Sequence, residues 1–223
     1  MKFNKKKTII SLIINTFLFI STFIVSVNGV AYGASAGQLG DSMKGIGYFK
    51  AYTMDSNILM GFLAFMMIAF NINSLVKKEN DYPGWMVKTY LVGTTAVTLT
   101  FITVCVFLAP MFEITGMGWK MMFKNDLFFF HFLNPLLALF NFIFFIPSQN
   151  ISRKTRLFGL IPTVIYSIVY MTAVLVLKSW DDFYNFTFGG KLFMVPISLI
   201  VMYAATYGIS TLLSIFHNKK VSL

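Results

Sequence analysis

Thr53, Ser56 and Asn57 stand three and four residues apart in the run Tyr52-Thr53-Met54-Asp55-Ser56-Asn57. On a helix that spacing puts hydroxyl and carboxamide on one face, a turn apart. A threonine hydroxyl becomes a nucleophile when a neighbouring base takes its proton. The candidate base is His131, set among aromatic residues in Phe128-Phe129-Phe130-His131-Phe132-Leu133-Asn134-Pro135. Its neutral imidazole serves equally as base, metal ligand or hydrogen-bonding partner. Asn57 and Asn134 carry amides that can donate to a developing oxyanion or orient a neighbour, and Ser56 is the reserve nucleophile. A plainer reading makes Thr53 or Asp55 the cap of a helix N-terminus. That accounts for Asp55 but not for Asn57, which already lies in the first full turn among apolar neighbours.

Other chemistry is sparse. There is no zinc-type histidine pair, glycine-rich phosphate loop or nucleophile-elbow sequence, so no cofactor and no metal are expected. The single cysteine, Cys105, lies inside an apolar run, which leaves no intrachain disulfide or CxxC chemistry. His217, in the basic tail, reads as a solvated side chain. The threonines of residues 89–103 read as hydroxyls bonded back to their own helix carbonyls. Asn141, Tyr166 and Tyr170 either line a cavity or bridge helices.

The elements that must position these groups are membrane helices. Of 223 residues 57% are hydrophobic and only 12% charged, at a mean hydropathy of +0.73, far from the roughly 25% charged of soluble domains. Six apolar runs, 8–30, 53–73, 89–109, 127–147, 157–177 and 192–216, are each long enough to cross a bilayer. They are continuously apolar, which excludes the alternating strands of a barrel. The expected fold is an all-α, six-transmembrane-helix bundle forming a single domain. Lys5 to Lys7 before the first run and Ala34-Ser35-Ala36 after it suggest a cleavable signal peptide, but the run exceeds the usual apolar core of about 7–15 residues.

The net charge of +10 follows topology rather than a basic stripe interleaved with aromatics, so nucleic acid is not an expected partner. With six spans, twelve Lys and Arg fall on the side of the N-terminus against Glu79 and Asp81, and six fall on the other side against six acids. The positive-inside rule then puts both termini and the loops around Lys77 and Arg153 in the cytoplasm. Tyr48, Tyr52, Trp119, Trp180 and Tyr184 would form an outer aromatic belt, with Trp85 at the inner one. The connection from Ala31 to Tyr52, with Gly37, Gly40, Gly45 and Gly47, is expected to be an outer loop or a short interfacial segment. Ala204 and Gly208 form a small-xxx-small pair, expected to serve packing within the chain. The second and fourth spans both run inward, so Thr53, Asn57 and His131 share a depth in the outer leaflet and can meet in one pocket. Intramembrane polar groups also serve packing alone.

The run Tyr52-Thr53-Met54-Asp55-Ser56-Asn57-Ile58-Leu59, and His131 followed four residues on by Pro135, resemble motifs of the androgen-induced and androgen-dependent integral membrane hydrolases and their bacterial six-span relatives. Pro162 with Tyr166 and the aromatic loop from Trp180 to Phe186 extend a weaker likeness. The resemblance implies a threonine hydrolase of lipid esters, notably fatty acid esters of hydroxy fatty acids. It implies Thr53 as nucleophile, His131 as the essential histidine and the bacterial plasma membrane as location. Some relatives carry an acidic residue where this chain has Asn141. The expected partner is a membrane lipid or acyl-chain ester, with no protein partner indicated. A second reading is a binding module, such as the substrate-capturing subunit of a small-molecule uptake system. A third is a structural or signalling protein in which His131 only bonds a neighbouring helix.

Overall fold

The computed structural model describes residues 3–33, 43–114, 116, 118–147 and 149–219. Six helices long and apolar enough to cross a membrane run in alternating directions: α1 (Lys5–Tyr32), α2 (Tyr52–Lys77), α3 (Gly84–Glu113), α4 (Asp126–Phe145), α5 (Arg153–Val176) and α6 (Met194–Lys219). The chain is an all-α, six-span integral membrane protein. Residue 3, loop 78–83, residues 146, 147 and 149–152 and the end of α6 share one end, the basic end. Gln149 Nε2 there donates to the Tyr82 carbonyl at 2.8 Å, and Ile151 N–H to Asn218 Oδ1 at 2.9 Å. The small-residue motif at 34–36, with Gly37 and Gly40, lies outside the described residues. Gly45–Lys50 is a short 3-10 helix at the opposite end.

The bundle keeps its polar side chains within a largely apolar core and turns apolar side chains outward, as lipid requires. Phe23, Phe62, Val106, Ile168 and Val201 are exposed, whereas Asn15, Asn57, Asn71, Asn134 and Asn141 are buried. Helix α3 is central. Of its most apolar stretch 61% is buried, the largest share among the six, and it packs against α2, α4, α5 and α6. Helix α1 closes the other side against α2 and α4. Close approach is set by Gly61, where an added Cβ would lie 2.7 Å from Thr22 Cγ2, and by Gly159, where it would lie 2.6 Å from Ser210 Oγ.

Three expectations are corrected. Among the described residues nothing lies within 4 Å of a Cβ added at Gly208, and Ala204 is exposed, so the pair marks no close helix approach there. Tyr48 and Tyr52 are buried rather than belted on the outside, Tyr48 over Gly29 of α1 and Tyr52 edge-on to Tyr166; Trp119 and Trp85 do face outward. His217 is not solvated. It is fully buried, stacked on Phe142 with ring centroids 4.5 Å apart. Its Nε2 accepts from Gln149 N–H at 3.3 Å, so Nδ1 carries the hydrogen and donates to the Phe142 carbonyl at 3.1 Å.

Candidate active site

Pro135 shapes the surroundings of His131. Lacking an N–H, it cannot continue the helical ladder, and α4 widens into a π-helical turn at Phe129–Leu133 in which Asn134 N–H bonds the Phe129 carbonyl. The Phe130 carbonyl has then lost Asn134, its α-helical partner, and its π-helical partner would be Pro135. Asn57 fills the gap from α2, with Nδ2 3.1 Å from the Phe130 carbonyl and 2.8 Å from the Thr53 carbonyl one turn back. Such π-turns are frequent at functional sites. Here the turn ties the residue before His131 to the turn that carries Thr53.

The imidazole itself is buried and held by a second loose end of backbone. The short helix Gly118–Met122, between α3 and α4, leaves its last carbonyls without intrahelical partners, and His131 Nδ1 lies 2.6 Å from that of Met122. A carbonyl can only accept, so Nδ1 carries the hydrogen and Nε2 the lone pair. That is the tautomer a general base needs, and a backbone carbonyl supplies the orientation that a carboxylate gives in a Ser-His-Asp triad.

Thr53 meets a different partner. Helix α2 begins after Ala51 with no side-chain cap of its own, so the expected capping by Thr53 or Asp55 does not occur. Tyr184, from the loop between α5 and α6, supplies the acceptor instead: Tyr52 N–H reaches its hydroxyl at 3.1 Å. Burial pushes the Tyr184 phenol up to about 12, against the opposing pull of Tyr52 N–H and of the neighbouring Tyr166 and Thr53. The loop is fixed by Asp182, whose carboxylate accepts from the Tyr170 hydroxyl at 3.0 Å, from Phe186 and Thr187 N–H at 2.9 and 2.8 Å, and from the Thr187 hydroxyl at 2.7 Å. Burial raises the Asp182 carboxyl, but those donors outweigh it and hold it below the usual range. Tyr184 N–H returns to the Tyr170 hydroxyl at 3.0 Å, which sets the backbone that presents the phenol.

Thr53 and Tyr184, with Thr100, Thr103, Asn185 and Ser198, are among the polar residues lining a largely apolar cleft of about 430 Å³ between α3 and α6, within the size range of small-molecule sites. Val106 of α3 and Val201 of α6, 73% and 63% exposed, stand on its rim, so it opens sideways at the depth of the lipid tails. His131 is not part of the cleft wall. Its link to the cleft is indirect: Tyr184, which lines the cleft, packs against the cluster of Val104, Leu108, Ala109 and Met122, and the Met122 carbonyl holds the imidazole.

The remaining candidates are engaged in helix contacts. Ser56 Oγ donates to the Thr53 carbonyl at 3.1 Å and shares a hydrogen bond of 2.9 Å with Thr100. Asn134 turns to α1, accepting from Ser21 at 2.9 Å with Nδ2 3.4 Å from Thr22 Oγ1. Asn141 donates to the Tyr90 hydroxyl at 2.8 Å, and Tyr90 donates in turn to Asn15 at 2.9 Å, a buried chain across α4, α3 and α1. Of the α3 threonines, Thr95 bonds its own helix at 2.8 Å, as expected, while the Thr94 and Thr98 hydroxyls find no partner among the described residues. Among the described residues no group of three or more His, Cys, Asp or Glu is placed to hold a metal ion.

The fold and site thus define a six-span membrane protein with hydroxyl-bearing side chains in the lining of a laterally open, largely apolar cleft. Comparison of the chain with protein families, curated proteins and solved structures finds no match.

Proposed function

We propose that this protein is an intramembrane hydrolase of lipid esters, with Thr53 as nucleophile and His131 as base, in the bacterial plasma membrane with both termini cytoplasmic. The observation that carries the reading is the tautomer of His131. Its Nδ1–H is bound to the Met122 carbonyl, which reserves Nε2 for accepting a proton. An acyl chain enters the cleft sideways from the lipid and brings its ester carbonyl to Thr53. Thr53 Oγ1 attacks the carbonyl carbon, and its proton passes to His131 Nε2 directly or through one water. The tetrahedral intermediate collapses with cleavage of the bond to the alcohol oxygen, which leaves with the proton held by His131. Water then attacks acyl-Thr53 with His131 again as base, releasing the fatty acid and restoring the hydroxyl.

The test is hydrolysis of long-chain fatty acid esters of hydroxy fatty acids by the purified full chain in lipid nanodiscs. Thr53→Ala is expected to abolish turnover and labelling by a lipid-like fluorophosphonate. His131→Ala should slow turnover by about 10²–10⁴-fold, the usual worth of general base catalysis. Equal rates in the wild type and both variants would remove the enzymatic reading and leave the cleft as a binding site.

A further inference from the structure

Tyr184 is a second group aimed at the reacting atoms: we propose that its phenol hydroxyl donates to the ester carbonyl oxygen and stabilises the oxyanion as Thr53 attacks. The assignment rests on the hydrolase reading above. Thr53 and Tyr184 both line the cleft, and the Tyr184 hydroxyl is hydrogen-bonded to the amide of Tyr52, the residue before Thr53, so an ester carbonyl that comes to Thr53 Oγ1 from the lipid side has the phenol as a neighbouring donor. Elsewhere in the cluster the amide donors are already committed. Both Asn57 amide hydrogens go to the Thr53 and Phe130 carbonyls, and Asn134 faces α1.

The phenol is also prepared for donation. Tyr52 N–H occupies a lone pair of its oxygen at 3.1 Å, which polarises the O–H bond and strengthens it as a donor. Its position is set before substrate arrives by the loop that Asp182 and Tyr170 hold, and a donor that need not reorganise is the effective kind. The raised phenol keeps its proton through the neutral range. In the step itself Tyr184 forms no covalent bond. Its O–H strengthens toward the oxyanion and keeps its proton, while the Thr53 proton travels to His131 and then to the departing alcohol.

Tyr184→Phe removes the hydroxyl and keeps the ring. In the same nanodisc assay it is expected to lower kcat by about 10²–10³-fold, the cost of losing one oxyanion donor, with KM within about twofold. A second measurement replaces Tyr184 by a fluorotyrosine, a more acidic phenol. The alkaline limb of the kcat profile should then move to lower pH, a change that a merely structural tyrosine would not produce. Wild-type kcat in Tyr184→Phe together with an unmoved alkaline limb, while Thr53→Ala is dead, would overturn this assignment alone. Absence of Thr53-dependent hydrolysis in the wild type would overturn both it and the hydrolase reading.

Discussion

Tyr90→Phe tests whether the buried chain from Asn15 through Tyr90 to Asn141 holds the bundle together. Tyr90 is fully buried in the central helix, and its hydroxyl both donates to Asn15 Oδ1 at 2.9 Å and accepts from Asn141 Nδ2 at 2.8 Å. Deleting one oxygen therefore breaks two hydrogen bonds and strands two buried amide atoms in an apolar interior. Measured interhelical hydrogen bonds in membranes average about 0.6 kcal/mol and reach about 1.7, so the loss should be about 1–3 kcal/mol. The assay is unfolding by SDS titration in mixed micelles, comparing Tyr90→Phe with the triple variant Asn15→Leu/Tyr90→Phe/Asn141→Leu. Because stranding a polar partner costs more than replacing a whole polar set by apolar groups, the triple variant should recover most of the loss. A Tyr90→Phe loss below about 0.3 kcal/mol, or a triple variant less stable than the single, would refute the reasoning.

Further outcomes are expected from other contacts. Gly61→Ala pushes a Cβ to 2.7 Å from Thr22 Cγ2 and should cost about 1–3 kcal/mol by overpacking, while Gly208→Ala, with open space around it, should be neutral or gain up to about 1 kcal/mol of helix propensity; one SDS titration compares them. Asn57→Leu strands the Phe130 carbonyl left by Pro135, and should reduce both stability in that titration and the rate of Thr53 labelling by fluorophosphonate. The Asp182 carboxyl is held below its ordinary 3.8, so its stabilisation of the loop is complete above that value and is lost as pH falls through the lower folded one. Trp180 fluorescence followed through acid should report that transition, and Asp182→Asn should remove it.

Much of the architecture was written in the apolar periodicity. Each apolar run became a span, and the one-sided excess of Lys and Arg separates the two ends, because in lipid only helices satisfy their own backbone and length alone sets the count. The site was partly legible as well. Thr53, Asn57 and His131 stand out because polar groups are expensive at those positions, but equal depth did not gather them into one pocket: Thr53 lines the cleft, whereas Asn57 and His131 are engaged with backbone carbonyls outside its lining. Their partners were not legible. Tyr184 looked like a belt tyrosine, since an amphipathic ring beside a span suits either an interface or an interior. His217 looked like a tail residue, since nothing local reveals that Gln149 and Phe142 close over it.

By itself the sequence determined the solvent and the number of helices and named a few candidate residues, all of which follow from composition and spacing within single helices. Only the tertiary structure decided which loose backbone ends those residues serve. The proline that frees the Phe130 carbonyl is visible at position 135, but that Asn57 answers it, that Met122 fixes the His131 tautomer, and that Tyr184 rather than Thr53 caps α2 depends on elements distant in the chain. A membrane interior makes unpaired backbone groups costly and leaves open which distant side chain satisfies them.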